Sequence, residues 1–253
     1  MKWKARNILN EHCFFDCHGG VSKGIFAGMN VSPKGCDSKE ELWENLNIAA
    51  GYLGLSKDRL ALLNQGVSAK VFYIDKPTSF ELTGDGMVTD RADIILALRT
   101  ADCAPILLED AKNGIVAVAH AGWRGALGGV IENTVDLMLR KGAILHNIAA
   151  AVGPCIGRES YEVDEFFHQQ FLQKNAKFDK YFYNKKAEKF LFDLEKFCVD
   201  RLNACGVDKV EAAGLDTYKL SDDYYSFRRF THQRIVKENG GFATQLSAIV
   251  LRR

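Results

Sequence analysis

Three short apolar runs near the middle of the chain constrain its fold more than any other feature. They occupy residues 94–98, 104–108 and 115–119, are partly β-branched, and are bounded by polar residues or glycine. Runs of this length and composition are typical of buried β-strands. Residues 110–114, between the second and third runs, have turn-forming composition. The centre of the chain is therefore predicted to contain a buried β-hairpin.

The flanking regions alternate irregularly between helical and strand patterns. Helices are predicted at residues 38–55, with Ser38 as the N-cap, and at residues 126–141, 164–174 and 192–205. Further strands are predicted at residues 60–63, 69–74 and 247–251. Because strands outnumber helices in an irregular order, we expect an α/β (α+β) fold with mixed sheets and helices outside them.

Length and charge exclude several classes of protein. The 253 residues contain no linker or repeat, so we expect a single domain spanning residues 1–253. Lys and Arg number 33 against 32 Asp and Glu, which leaves no basic field for a nucleic-acid partner or an anionic membrane. No apolar run approaches the ~18 residues of a membrane span, and the start lacks a signal-peptide pattern. The expected location is the cytoplasm.

Seven cysteines are scattered through the chain without a CxxC pair. An odd number in a long chain without a secretion signal argues against a disulfide framework, so we expect thiols. A metal site would have to be assembled from distant segments.

The predicted hairpin brings one cysteine close to one histidine. If the turn is centred near Lys112, Cys103 lies opposite Ala121 and within one residue of His120. Cross-strand Cβ atoms lie ~4.5 to 5.5 Å apart. A thiolate at ~2.3 Å and an imidazole at ~2.0 Å could then share one zinc ion. A buried cysteine beside a histidine that caps a loop explains the spacing equally well.

The residues after His120 favour a binding site. Gly122 and Gly125 allow close approach of the backbone to a ligand, Trp123 offers a flat face, and Arg124 offers a fork for phosphate or carboxylate.

Two other segments are candidate anion contacts. Residues 17–22 contain a Gly-Gly pair, which is alternatively a simple turn. Arg228 and Arg229 stand beside aromatic residues and suit a phosphate, although paired surface arginines are usually just solvated.

These motifs together resemble the laccase-domain family, whose members carry the names multicopper polyphenol oxidase, purine nucleoside phosphorylase and peptidoglycan editing factor. The resemblance rests on residues 18–22, Asn30, and residues 85–89, 99–105, 120–125, 153–157, 161–163 and 225–229. The blocks follow the family's order over nearly the whole chain. The resemblance implies a single domain built as a layered sandwich of mixed β-sheets with helices outside.

The resemblance also implies a zinc site, with copper as the alternative metal. Its ligands would be Cys103, His120 and a histidine from an Asn-Gln-Val-His block. The corresponding block here is 64–68, which places Val67 at the histidine position. Cys17 stands where the family usually has arginine. His18 and a water are the candidates for completing the coordination.

The activity implied by the resemblance is zinc-dependent phosphorolysis of purine nucleosides (inosine, adenosine, methylthioadenosine), with adenosine deamination as a further activity. Purine nucleoside and phosphate would be the ligands. Arg124, Arg228 and Arg229 are the candidate phosphate clamp. Cys103, His120 and Asp102 are the candidate catalytic residues, with Asp102 orienting a ligand or accepting a proton.

Three alternatives remain at this point. A copper-dependent polyphenol oxidase is disfavoured because the chain has 6 histidines, none in a His-x-His pair. Cys103 and His120 could instead form a cysteine-hydrolase pair. A non-catalytic nucleoside-binding or interaction protein is favoured by Val67 and Cys17.

Overall fold

A computed structural model describes residues 2–35, 38–186, 189–238 and 240–252. Its strands, in chain order, are β1 (Glu11–Phe14), β2 (Leu60–Asn64), β3 (Val71–Tyr73), β4 (Thr78–Thr83), β5 (Gly86–Thr89), β6 (Ile95–Thr100), β7 (Ala104–Asp110), β8 (Ile115–Ala121), β9 (Ala149–Val152), β10 (Glu162–Asp164), β11 (Phe182–Lys186), β12 (Lys189–Phe192), β13 (Lys209–Ala212) and β14 (Gln245–Val250). Its α-helices are α1 (Lys39–Tyr52), α2 (Trp123–Gly128), α3 (Val130–Arg140), α4 (Glu165–Lys174), α5 (Leu194–Ala204) and α6 (Phe227–His232).

The strands form two mixed sheets and one small antiparallel sheet. The first has the order β1-β14-β6-β2-β4 and the second β13-β9-β7-β8-β5-β3, and each combines parallel with antiparallel pairs. The third, β10-β12-β11, is antiparallel. All three apolar runs from the middle of the sequence are central strands of the two larger sheets.

The two mixed sheets pack face to face, and helices cover their outer faces. Apolar side chains from β6 and β14 meet those from β7 and β8 in the layer between the sheets. The opposite face of the first sheet packs on α1, and that of the second sheet packs on α3 and α5. The predicted layered sandwich of mixed sheets with outer helices, formed by a single domain, is confirmed.

The central hairpin forms as predicted, but its pairing is shifted by one residue. Ala104 rather than Cys103 pairs with Ala121, and Pro105 pairs with His120. The shift arises at the turn, because Asp110 belongs to the strand and accepts hydrogen bonds from the N–H groups of Asn113 and Ile144. Side chains alternate between the faces of a strand, so Cys103, two residues before Pro105, continues the row of side chains that includes His120.

The helix predicted after Gly125 differs from the observed structure. Two helices occupy this region, α2 and α3, and they meet at Gly129. Gly129 has φ 100°, in the left-handed region that ends an α-helix. The other three helices are found within a few residues of their predicted bounds, and the Ser38 hydroxyl accepts the predicted capping bond from the Glu41 N–H.

Six cysteines are free thiols in the described part of the chain, as expected. Cys36 lies outside the described residues. None of the helices described is both long and apolar enough to cross a bilayer.

Candidate functional site

Two neighbouring cavities open where the central strands end, and Val67, Ala101 and Cys103 line both. The aromatic cavity, of ≈ 350 Å³, is lined further by Asp102, Trp123, Arg124, Tyr161, Phe227 and Arg228. The cationic cavity, of ≈ 420 Å³, is lined further by Lys34, Asn64, Arg99, Thr100, His120 and Thr244. Both volumes fall in the range of small-molecule sites. Cys103 therefore stands at the junction of a two-part cleft.

His120 connects Cys103 to a buried carboxylate. It lies near the end of β8, where its Nδ1 is 2.8 Å from Oδ1 of Asp85, and it also forms a hydrogen bond with Cys103. Burial disfavours the imidazolium, but the charge on the Cys103 sulfur and the hydrogen bonds with Asp85 and Cys103 outweigh it and raise the pKa of His120 to about 9. The three side chains form a chain of thiol, imidazole and carboxylate.

Asp85 also holds the loop that contains Val67. Its carboxylate accepts hydrogen bonds from the backbone N–H groups of Gly66, Val67 and Ser68 and from the Ser68 hydroxyl. Burial opposes ionisation, but the bonds from His120 and Ser68 prevail and lower the pKa of Asp85. Asp85 was not predicted as a site residue. The only signal in the sequence was its place in the 85–89 block of the family resemblance.

Val67 lies where a ligand is expected, in a backbone conformation unusual for valine. Its φ is 56°, in the left-handed region that β-branched residues avoid, and its side chain is 40% exposed. A Cβ built on Gly122 would lie 2.9 Å from the Cys103 sulfur and 3.4 Å from a Val67 methyl carbon. Val67, Gly122 and Cys103 are therefore immediate neighbours.

Asp102 holds the segment that carries Arg228. One carboxylate oxygen accepts from the Thr217 hydroxyl and the other from the Arg228 N–H, and Ser226 supplies a further hydrogen bond. Burial raises the pKa of Asp102 despite these bonds. Its φ of 81° is strained for a residue other than glycine. The contacts observed for Asp102 position the start of α6.

Arg124 and Arg228 are both brought to the aromatic cavity. The Arg124 guanidinium stacks on the Trp123 ring at 4.2 Å and is otherwise exposed. The Arg228 guanidinium lies 5.4 Å from the centre of the Tyr161 ring and donates one hydrogen bond, to the Glu162 carbonyl. Each guanidinium has five N–H donors, so several remain for a ligand.

Arg229 does not reach either cavity lining. Its guanidinium donates to the backbone carbonyls of Thr217, Tyr218 and Tyr224. These bonds fasten α6 to the preceding loop, so the structure gives Arg229 backbone partners and does not bring it to the cavities with Arg124 and Arg228.

The Gly-Gly segment and its neighbours also lie apart from the two cavities. A Cβ on Gly20 would lie 2.3 Å from the Gly28 carbonyl oxygen, so this glycine serves close backbone packing. The Cys17 thiol donates to the Asp222 carbonyl, and His18 pairs with Asp223 at 3.1 Å. His18 is not placed to complete a metal site at Cys103.

A family model described as "Multi-copper polyphenol oxidoreductase laccase" matches residues 11–249. The chain belongs to this family. The resemblance based on the sequence motifs is thereby confirmed.

Relatives in the laccase family carry names of nucleoside enzymes. A purine nucleoside phosphorylase of Deinococcus radiodurans is 35% identical over 226 residues, covering 89% of this chain and 86% of that protein. An adenosine deaminase from an unknown prokaryotic organism is 34% identical over 186 residues, covering 69% and 70%. The crystal structure of YlmD from Geobacillus stearothermophilus is similar with a TM-score of 0.85 and 25% identity, covering 98% and 94%. These two curated relatives are thus named as enzymes that act on nucleosides.

The laccase family implies a bound metal, but the residues at the junction do not fit a site with three protein ligands. Cys103 and His120 offer two donors, and the Val67 side chain offers none. Among the described residues, no third His, Cys, Asp or Glu joins them in a group of metal donors. Catalytic zinc takes three protein ligands, and a blue-copper centre takes two histidines and a cysteine.

The described residues bring three potential metal donors together elsewhere. Ligand atoms of Asp16, His18 and Asp223 lie within 4.8 Å of one another.

Proposed function

We propose that the two-part cleft binds a purine nucleoside and phosphate and cleaves the glycosidic bond by phosphorolysis. The observation that carries this proposal is the convergence of Cys103, His120, Arg124, Arg228 and three aromatic residues on adjoining cavities. The names of relatives, such as the Deinococcus radiodurans protein, support the choice of substrate.

The aromatic cavity suits the purine base. Phe227 is 41% exposed although it is a large apolar residue, and Tyr161 lines the same cavity. Trp123 packs against Phe167 on its inner side, with ring centres 4.5 Å apart. Exposed aromatic faces in a concave site are typical of pockets for flat ligands.

Arg124 and Arg228 are the proposed phosphate contacts. Both line the aromatic cavity, and both retain N–H donors that no described residue engages. Two guanidinium groups would neutralise the charge of the attacking phosphate and align it beneath the ribose.

Cys103 and His120 are proposed to act at the cleaved bond. His120, kept protonated by Asp85, would donate a proton to the departing purine. Cys103 would hold the imidazole in place. Asp102 is a positioning residue that fixes Arg228. No step uses a metal, since the third ligand is absent.

Inosine, adenosine and methylthioadenosine are the proposed nucleosides. Hydrolytic deamination of adenosine would need an activated water, which a three-ligand zinc ion normally supplies. We therefore place phosphorolysis before deamination in this chain. The proposed location is the cytoplasm, where thiols such as those described stay reduced.

The test is an assay of purified protein with inosine and varied phosphate. Release of hypoxanthine should require phosphate, and Arg124→Ala should raise the KM for phosphate about tenfold or more without lowering the melting temperature. An Arg91→Ala variant, which changes an arginine outside both cavities, is the matched control. Absence of base release from the folded parent would reject the proposal.

A second candidate function is thiol-dependent hydrolysis. The arrangement Cys103–His120–Asp85 has the nucleophile, base and orienting carboxylate of a catalytic triad. Iodoacetamide labelling followed by mass spectrometry tests it. Rapid labelling at Cys103 that Asp85→Asn slows would support a nucleophile, and an inert Cys103 would exclude it.

A further inference from the structure

The cationic cavity contains an arginine for which the described part of the chain supplies no counter-charge. Burial lowers the pKa of Arg99 to about 10, so the guanidinium stays charged at neutral pH. One of its nitrogens donates to the Leu63 carbonyl, and the group lies 5.0 Å from the Phe80 ring centre. Among the described residues, no carboxylate forms an ion pair with Arg99, and its buried Nε has no hydrogen-bond partner. Arg99 is half-buried, and a cation withdrawn from water without an anion is costly in free energy.

Two hydroxyl groups in the same cavity wall also lack partners. Thr100 is 2% exposed and Thr244 is 8% exposed, and both residues line the cavity. Neither Oγ1 has a hydrogen-bond partner within the part of the chain that the structure describes. Buried hydroxyl groups are almost always hydrogen-bonded. Side chains alternate along a strand, so Thr100 faces away from Arg99. Thr244 lies two residues before Leu246, the cross-strand partner of Arg99, and so continues the row on the Arg99 face. The unpartnered hydroxyl of Thr244 therefore points to a ligand on that face.

The remaining lining adds positive charge and hydrogen-bond donors. Lys34 is exposed at the rim, and His120 lies at the junction with the aromatic cavity. No Asp or Glu occurs among the described residues that line this cavity. The site therefore combines cations with hydroxyl donors and lacks a repelling carboxylate.

We propose that the cationic cavity is a subsite for a phosphate group, bound by Arg99, Lys34 and Thr244. A phosphate oxygen accepts charge-assisted hydrogen bonds from a guanidinium fork and an ammonium, and hydroxyl groups can serve the remaining lone pairs. This subsite is distinct from the contacts proposed for Arg124 and Arg228, which lie in the aromatic cavity. It adds an anion site to the proposed reaction, but its test is binding and does not depend on turnover.

The phosphate group has two possible sources, which the experiment separates. Calorimetric titrations at low ionic strength would use inorganic phosphate, adenosine 5′-monophosphate and adenosine as probes. The variants are Lys34→Gln, which changes an exposed side chain, and Thr244→Val, which removes only an unpartnered hydroxyl and should preserve the melting temperature. Lys57→Gln makes the same charge change as the first variant at an exposed position outside both cavities.

The proposal predicts that Lys34→Gln and Thr244→Val each weaken phosphate-group binding, the former ~10-fold or more, while Lys57→Gln does not. If the variants bind inorganic phosphate more weakly than the parent does, the occupant is the free ion. If the variants bind adenosine 5′-monophosphate more weakly than the parent does, but bind inorganic phosphate and adenosine as the parent does, the occupant is the phosphate of a nucleotide. Unchanged binding of both phosphate probes in both variants, or no binding to the parent at millimolar concentration, would overturn the subsite. Failure of the proposed reaction would appear separately, as absence of base release.

Discussion

Oδ1 of Asp85 lies 2.8 Å from Nδ1 of His120, and the same carboxylate accepts the backbone N–H groups of the Val67 loop. One buried side chain thus acts with Cys103 to raise the pKa of His120 and also holds the loop that faces the histidine. This double role makes Asp85 the structural link between His120 and the loop that contains Val67.

Asp85→Asn should lower the pKa of His120. The carboxylate favours the imidazolium, so its loss should shift the midpoint down from about 9 by roughly one to three pH units. An NMR titration of the histidine ring in metal-free protein measures this midpoint. Asp75→Asn removes an exposed carboxylate and serves as the control. An unchanged midpoint in Asp85→Asn would show that Asp85 does not set the charge of His120.

Val67→His should restore a third metal donor. The variant should bind zinc more tightly than the parent, because an imidazole replaces an isopropyl group that has no metal donor near Cys103. Val67→Asn is the matched control, since asparagine also relieves the positive φ but is a poor zinc ligand. Zinc affinity is measured by competition with a chelator. Equal affinities in the His and Asn variants would contradict the placement of Val67 at the ligand position.

Arg228 and Arg229 are adjacent in sequence, but alanine at Arg229 should chiefly lower stability and alanine at Arg228 should chiefly weaken phosphate binding. Arg229→Ala leaves three backbone carbonyls without their donor and should lower the free energy of unfolding by about 2 kcal/mol or more. Arg228→Ala removes one such bond and should chiefly weaken phosphate binding. Urea unfolding and phosphate saturation curves, measured on both variants, separate the two effects. A larger stability loss in Arg228→Ala would reverse these assignments.

Gly122→Ala should disturb the site more than the fold. The added Cβ would lie 2.9 Å from the Cys103 sulfur, so the Cys103 side chain must shift from its position beside His120. Gly142→Ala is a contrasting variant, because its Cβ would meet no neighbour and its cost comes only from φ 100°. The rate of Cys103 alkylation should therefore change in Gly122→Ala and stay constant in Gly142→Ala. Equal rates in the two variants would argue against contact between Gly122 and Cys103.

Alternation and turn composition sufficed to predict the central hairpin, but not its register. The predicted pairing placed Cys103 opposite Ala121, whereas Ala104 occupies that position. The difference depends on whether Asp110 belongs to the strand or the turn. Its carboxylate accepts hydrogen bonds from Asn113 within the turn and also from the N–H of Ile144, 34 residues away. A contact with a residue so distant in sequence leaves no local signal.

The same limit applies to the candidate site. Local sequence predicted some of its residues, but contacts between distant segments determine the others. Arg124 and Arg228 were predicted as phosphate contacts from their neighbours in sequence, and both line the aromatic cavity, but nothing local distinguishes Arg228 from Arg229. The fold distinguishes them, because the loop before α6 presents carbonyl groups to one arginine and not to the other. Asp85 and Arg99 escaped prediction because their importance comes from burial beside segments distant in sequence.

The most direct test of the proposed function is the product balance from inosine. Purified protein is incubated with inosine, with and without phosphate, and hypoxanthine, ribose 1-phosphate and free ribose are quantified. Phosphorolysis predicts equal amounts of hypoxanthine and ribose 1-phosphate, and no base release without phosphate. Release of hypoxanthine with free ribose, at a rate independent of phosphate, or no release at all, would contradict it.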